Sequence, residues 1–289
     1  MSDVLPPASV SPPAGSLRRG WAVIYPNIST RITAPFLLII IVVAAIGVFV
    51  VTHLVAGSIQ ERFNNQLVSS ADAASNSLVD LERQLLATLR LMAFTEGVPQ
   101  AIAAQDSASL DQWLRPVAAN ANLDRLIVFN RAGAVLLSLT RVGSAQYEAV
   151  PAPDVNTWPG AQQVLLATSD SLGDKFVDVF TAPDNDLLFI SAPVFDGDTL
   201  QGGVSVGVTF ERVARRAGEQ ALSAVTLYAA DGTVLGSTFT TATADLTLDA
   251  AARLTSVVQD TSPVEEVSLA GESYQIMYAP LSVRSRSIG

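Results

Sequence analysis

The sequence predicts an α+β protein with one N-terminal transmembrane helix, a long stalk helix and two tandem modules with antiparallel sheets, the second incomplete. Three observations lead to this fold class. Residues 34–51 form an uncharged apolar run, a helical stripe without Gly or Pro follows at 58–94, and a strand–turn–strand pattern occurs twice at constant spacing.

The apolar run is long enough to cross a membrane. At 1.5 Å per residue, residues 34–51 span roughly 27 Å, close to the hydrocarbon core of a bilayer. A buried core helix is rarely apolar on every face, so we interpret residues 34–56 as a transmembrane helix. A cleaved signal peptide is the alternative. The long segment before the run favours a retained anchor, because signal peptides usually begin with a short charged region.

Charge predicts the orientation and excludes some partners. The chain has a formal net charge of −10, yet the tail at 1–33 contains Arg18, Arg19 and Arg31 against Asp3 alone. Because basic flanks stay on the cytoplasmic side, we expect a flexible cytoplasmic tail and an extracytoplasmic body at the inner membrane. An acidic body argues against nucleic-acid partners. The chain has no cysteine, which excludes disulfides and thiolate metal sites.

The stalk helix is predicted at 57–97. Its apolar residues recur at steps of three and four, which is typical of one continuous helical face: Ile59, Phe63, Leu67, Ala71, Ala74, Leu78, Leu81, Leu85, Leu89 and Met92. Such a helix would be about 55 Å long. The stripe can pack on the helix's own domain or form the seam of a homodimer, and we expect it to do both.

A membrane-distal module is predicted at 98–210. A short helix at 98–104 precedes a helix that a capping box opens at Ser109 and that ends or kinks near Pro116. A long loop at 140–157 leads to a helix starting at Trp158–Pro159. The strands are predicted at 125–130, 134–139, 175–181, 187–194 and 202–210, and a connector helix at 211–222.

The second module, at 211–289, is predicted from an internal repeat. Residues 126–138 align with 225–237 at an offset of 99, with Gly133 on Gly232. A helix near 249–258 and a hairpin at 264–280 follow in the expected order. Chance similarity of two strand–turn–strand units is the alternative. The strand that would match 203–210 is missing from the second module, so we expect the natural chain to continue beyond Gly289.

With the phrases LIVFNRAGAVLLS and ISAPVFDGDTLQGGVSVGV, this arrangement resembles the double Cache sensor ectodomains of bacterial transmembrane receptors, which contain two PAS-like modules. The resemblance covers roughly residues 31–289. It implies a small-molecule ligand in the distal module. It also implies a second membrane helix leading to a histidine kinase, a chemotaxis signalling domain or a nucleotide cyclase.

The amino-acid-binding members of that family use an Arg-x-Trp-Tyr phrase and an Asp in the last distal strand. Trp158 matches the Trp of this phrase, but Asn156 and Pro159 replace the Arg and the Tyr, and Val208 occupies the Asp position. The resemblance therefore does not extend to amino-acid recognition.

Four residues are assigned to the ligand site. Tyr147 and Trp158 flank the region that, by the resemblance, roofs the distal pocket, and aromatic walls suit small ligands. Lys175, the only lysine of the chain, offers a cation to an acidic ligand. Asp178, in the strand that Lys175 opens, is the fourth. An ordinary core role for the aromatic residues and a strand-edge role for Lys175 are the alternatives.

Catalysis and cofactors are not expected. His53 is the only histidine and sits at the membrane edge, so neither a Ser/His/Asp triad nor a histidine zinc site can be assembled. Paired aspartates at 184/186 and 196/198 lie in predicted turns, where Asp is favoured for local hydrogen bonds, rather than in a calcium loop.

The sequence therefore predicts the sensing half of a transmembrane receptor, with the bilayer, a small ligand and a second copy of the chain as partners. A single-pass anchored binding or scaffold protein of the cell surface is the main alternative. An anchored hydrolase is the third hypothesis.

Overall fold

A computed structural model describes residues 28–144, 146–181, 185–239, 264–269, 271–284 and 286–288. The predicted helix at 249–258 and the tail before residue 28 lie outside these residues. The chain divides into two compact units, residues 1–60 and 61–289, and each is described by itself.

The first unit contains the beginning of helix α1, which is Ile28–Ala93. Within it, Pro35–His53 has a mean hydropathy of 3.0 and is long and apolar enough to cross a membrane. The described side chains of this segment are exposed, as expected of a helix whose apolar surface has no protein partner in its own unit. The predicted N-terminal apolar helix is therefore present.

In the second unit, α1 buries one face of its last five turns. The buried face consists of Leu78, Leu81, Leu85, Leu89 and Met92, the C-terminal half of the predicted stripe. These side chains belong to a core that continues into the sheet at the centre of this unit. Gly97 ends this region with a φ of +90°, a backbone conformation that favours glycine. Helices α2 (Val98–Ala104) and α3 (Ser107–Asn120) follow.

A six-stranded antiparallel sheet forms the centre of the second unit. Its order is β3-β2-β1-β6-β5-β4. The strands are β1 (Arg125–Asn130), β2 (Val135–Val142), β3 (Gln146–Ala149), β4 (Phe176–Phe180), β5 (Leu187–Asp196) and β6 (Thr199–Thr209). Helix α4 (Pro159–Leu165) lies between β3 and β4 in the chain, and a 3-10 turn at Val155–Thr157 precedes it. The predicted α+β class is confirmed.

The central strand β6 is covered on both faces. Val204, Val206 and Val208 belong to the core that contains the α1 stripe. Gly203 and Gly207 alternate with them, as a period of two requires, and meet the rings of Phe129 and Phe189 on the opposite face. That second face carries a separate apolar cluster, which includes residues of α4.

Two local predictions were wrong. Helix α3 is capped by Asp106, whose carboxylate accepts the Ser109 N–H at 3.1 Å, rather than opening at Ser109, and it continues through Pro116 to Asn120. Burial of Leu110, Leu114 and Ala118 outweighs the local cost of the proline. The predicted loop at 140–157 contains β3, an edge strand that pairs with β2.

The repeat is visible in the hairpin that follows helix α5 (Phe210–Ala221). Strand β7 (Thr226–Tyr228) pairs with β8 (Val234–Ser237), and both the register and the bulge after Leu227 match those of β1 and β2 at the offset of 99. Gly133 and Gly232 both have positive φ, which the tight turn requires.

Further pairs are formed by β9 (Glu265–Leu269) with β10 (Glu272–Ile276), and by β11 (Ser282–Val283) with β12 (Arg286–Ser287). Within the described residues, these pairs and the β7–β8 hairpin remain separate two-stranded sheets. The division into two modules at residue 210 stays a prediction, since the second unit contains both.

Asp124 joins the six-stranded sheet to α5. One carboxylate oxygen contacts Arg141 at 2.6 Å and Arg212 at 2.8 Å, and the other accepts the Thr209 N–H at 2.9 Å. Burial raises the pKa of Asp124, while the Thr209 bond and Arg141 oppose this shift. A buried carboxylate is tolerated here because each oxygen has a charged or N–H partner.

Replacing the Asp124 carboxylate tests how much its contacts between the sheet and α5 stabilise the fold. We expect Asp124→Asn to lower the free energy of unfolding by about 3 kcal/mol, because it leaves two largely buried guanidinium groups without their counter-ion. The control is Asp80→Asn, which removes an exposed pair with Arg83 and should change little. Urea unfolding followed by circular dichroism measures both, and equal effects would contradict the role of Asp124.

Candidate functional site

Helix α4 is held at its start by a carboxylate from the neighbouring strand. Asp178 of β4 accepts the Gly160 N–H at 2.8 Å and the Ala161 N–H at 3.2 Å. Burial raises the pKa of Asp178, and these two bonds together with the charge of Arg286 counteract the shift. Pro159 at the first helical turn has no N–H to satisfy. Asp178 therefore fixes where α4, and Trp158 before it, lie on the sheet.

Trp158 is the centre of an aromatic layer, which we define as Phe129, Trp158, Phe180 and Phe189. The Trp158 ring lies 4.7 Å from that of Phe189 and 5.5 Å from that of Phe180, measured between centroids. Glycines make room beneath the layer, since a Cβ at Gly203 would lie 2.5 Å from the Phe129 ring. The side of the sheet that carries α4 is thus apolar and shaped by rings.

This layer also contains polar atoms. The indole Nε1 of Trp158 is buried and has no hydrogen-bond partner among the described residues. Beneath the layer, the hydroxyls of Ser191 and Ser205 are fully buried and lie 2.6 Å apart. Buried donors are nearly always paired in proteins, so the indole N–H is an exception among the described residues.

A cavity of about 270 Å³ lies beside α4. We call it the junction cavity, because β4 and α4 meet the C-terminal strands here. Its lining residues are Pro159, Gly160, Gln163, Asp170, Lys175, Phe176, Val177, Arg284 and Arg286. The Lys175 ammonium lies 2.6 Å from Asp174, and a guanidinium nitrogen of Arg286 donates to the Val177 carbonyl at 3.3 Å.

The four predicted ligand residues do not all meet. Trp158, Lys175 and Asp178 surround α4, whereas Tyr147 is an inward residue of edge strand β3 on the opposite side of the sheet. Its hydroxyl lies within hydrogen-bond distance of the Ala118 and Leu123 carbonyls. Whether any of the four binds a ligand stays a prediction, and the geometry favours the group around α4.

Arginines 284 and 286 escaped the sequence analysis. They are more than a hundred residues from Lys175, and no local pattern marks them. The one feature of the sequence that could have pointed to them is their positive charge, since the chain is acidic overall.

A second cavity, of about 310 Å³, lies between the stalk and the strands after α5. It is lined by apolar stalk residues such as Leu67, Ala71 and Ala74, by strand β7 and by residues 274–281. Within the described residues, no group of three His, Asp or Glu side chains converges.

Comparisons with known proteins agree with this architecture. A family described as the double sensory domain of two-component sensor kinases matches residues 60–289. No curated protein sequence matches the chain.

Solved structures with a similar fold come from sensory proteins. A domain of a sensory box/GGDEF family protein from Vibrio parahaemolyticus is 10% identical, with a TM-score of 0.56, over 75% of this chain and 95% of that one. A methyl-accepting chemotaxis protein X is 13% identical with a TM-score of 0.56, over 78% and 94%. The sensory domain of the Campylobacter jejuni chemoreceptor Tlp3 is 13% identical with a TM-score of 0.50, over 75% and 88%.

A substitution at Gly160 tests how closely Asp178 approaches α4. A Cβ on Gly160 would lie 2.5 Å from the Asp178 carboxylate and 3.0 Å from the Phe176 Cβ. We therefore expect Gly160→Ala to lower the free energy of unfolding by about 2 kcal/mol. Gly47→Ala is the control, because its Cβ meets nothing within 4 Å. Chemical unfolding measures both, and a stable Gly160→Ala would show that the contact with Asp178 is dispensable.

Proposed function

This chain belongs to the family of double sensory domains of two-component sensor kinases, and we propose that it is the extracytoplasmic ligand-sensing region of a bacterial transmembrane receptor. The family match over residues 60–289 is the observation that carries the proposal. The family is sensory rather than catalytic. The candidate membrane span Pro35–His53 precedes the matched region, as a membrane receptor requires.

We propose that the ligand binds in the distal module, on the side of the sheet that carries α4. The aromatic layer offers apolar contact, and the unpaired Trp158 indole offers a hydrogen bond to an acceptor on the ligand. Apolar walls with few polar groups are typical of small-molecule sites.

We propose that the signal passes through the apolar core that the stalk shares with the sheet and with the strands after α5. The stalk residues from Leu78 to Met92 pack in one cluster with Val206 of β6 and with Leu227 and Leu235 after α5. Two polar contacts add to this core. The Ser70 hydroxyl donates to the Ala221 carbonyl at 2.9 Å, and the backbone N–H of Arg284 donates to the Glu82 carboxylate at 3.1 Å. A ligand that binds two arrangements of this core with different affinity shifts their populations by that difference.

Orientation and assembly are further parts of the proposal. The basic tail is on the cytoplasmic side of the inner membrane. A homodimer forms along the stalk, but the buried stripe is already occupied by the chain's own core. Beside the buried segment from Leu78 to Met92 the seam therefore uses another face of α1, on which Val68 and Val79 are exposed.

Trp158→Phe tests the ligand site. The ring largely remains while the N–H donor is lost, so affinity should fall about fivefold to tenfold, the usual value of one hydrogen bond. Ligands are first found by thermal shift of the full chain in lipid nanodiscs, against a panel of organic acids, amines and nucleosides, and titrated by calorimetry. Trp113→Phe, far along the chain in α3, is the control. A panel without any binder, or equal affinity in all three proteins, would contradict the proposal.

Single cysteines test the dimer, since the chain has none of its own. The Val79 side chain is 40% exposed and that of its neighbour Leu78 is 8% exposed. We expect Val79→Cys to form an interchain disulfide in native membranes under mild oxidation and Leu78→Cys to form none. Absence of cross-linking at Val79, with Val68→Cys equally silent, would argue against a stalk dimer.

A further inference from the structure

The junction cavity collects positive charge in an acidic chain. Lys175, the only lysine, lines it together with Arg284 and Arg286, and Asp170 is the single carboxylate among its lining residues. Lys175 immediately precedes β4. Arg284 follows β11, and Arg286 is the first residue of β12. Two parts of the second unit that are distant in the chain therefore contribute to one cationic wall.

Arg284 is the unusual member of this wall. Its side chain is only 8% exposed, and its Nη2 is buried without a hydrogen bond to any described residue. Nη2 forms a long ion pair with a carboxylate oxygen of Asp170 at 3.6 Å, which is beyond normal hydrogen-bond length. That same oxygen accepts the Leu172 N–H at 2.8 Å. Leaving a buried guanidinium donor unpaired is unfavourable, so the site favours an added acceptor.

The other nearby carboxylates are already engaged. Asp174 lies 2.6 Å from the Lys175 ammonium, and Asp178 accepts the two N–H groups at the start of α4. Glu82 accepts the backbone N–H of Arg284 at 3.1 Å. Asp170 is half exposed and is the acid that pairs with the Arg284 guanidinium among the described residues.

We infer that the junction cavity binds a small organic anion through its carboxylate or phosphate oxygens. The planar guanidinium of Arg284 pairs with such oxygens by parallel hydrogen bonds, and Arg286 and Lys175 add charge. The inference deepens the proposed sensory function and rests on it. Because Lys175 comes from the middle of the second unit and the two arginines from its C-terminal end, the bound anion fastens β4 to the C-terminal strands.

Three probes test this inference on the full chain in nanodiscs: succinate, acetate and inorganic phosphate, each against chloride at equal ionic strength. Calorimetry gives the dissociation constant and thermal shift gives the stabilisation. We expect at least one probe to bind, and we expect Arg286→Gln and Arg284→Gln each to weaken binding about tenfold, as for loss of a charge-assisted pair. Asp170→Asn should tighten it, because the competing carboxylate charge is removed.

Arg83→Gln is the matched control, since it removes an equal charge from the exposed stalk surface and should leave binding unchanged. Arg286 is exposed, so its variant is informative even where Arg284→Gln fails to fold. The carboxylate and phosphate arms identify the preferred oxyanion, and binding in either arm supports the inference.

Two results would overturn it: no probe stabilising the chain more than chloride, or binding that Arg286→Gln and Arg83→Gln weaken equally. Either would leave the sensory function standing if the Trp158→Phe experiment finds its ligand. Failure of that experiment as well would reject both proposals.

Discussion

The requirement to cover both faces of the six-stranded sheet governs the rest of the structure. Its central strand β6 is paired on both edges and buried on both faces, so neither surface can meet water. Valines at 204, 206 and 208 face the stalk side. On the other side a Cβ at Gly203 or Gly207 would collide with the rings above it. Small residues on this face thus let large aromatic side chains approach the backbone. The sheet therefore has two different covers: the stalk on one face, and α4 with the aromatic layer on the other.

The two covers are held by different forces. The stalk cover is apolar, and its leucines share one core with the strands on both sides of α5, so displacing it exposes a large apolar surface. The α4 cover depends on directional contacts: a short helix anchored by two N–H bonds to Asp178 beside a cationic cavity. The apolar cluster under α4 is smaller than the core that contains the stalk, and small local elements open at lower free energy than a continuous core. This difference explains why a ligand is expected to act at α4 while the stalk carries the response.

The sequence predicted features that depend on neighbouring residues better than features that depend on contacts between distant residues. The offset of 99 between the two hairpins agrees with their registers, because each turn needs a glycine with positive φ, at 133 and 232. The start of α3 was wrong because two polar residues, Asp106 and Ser109, can both cap a helix, and packing selects between them. Strand β3 was missed since an edge strand with one inward residue, Tyr147, has too little pattern to distinguish it from a loop.

The sequence by itself determined the apolar segment, the periodic stalk, the alternating strands and the family. Each of these is encoded by neighbours within a few residues, where helix and strand periods are fixed by backbone geometry. Only the tertiary structure decided which side chains share a site. It brought Lys175 to Arg284 and Arg286 and separated Tyr147 from Trp158 by the thickness of a sheet. It also left the Trp158 indole N–H without a hydrogen-bond partner among the described residues. Such groupings join residues far apart in the chain, and they depend on how covered faces pack rather than on any local pattern.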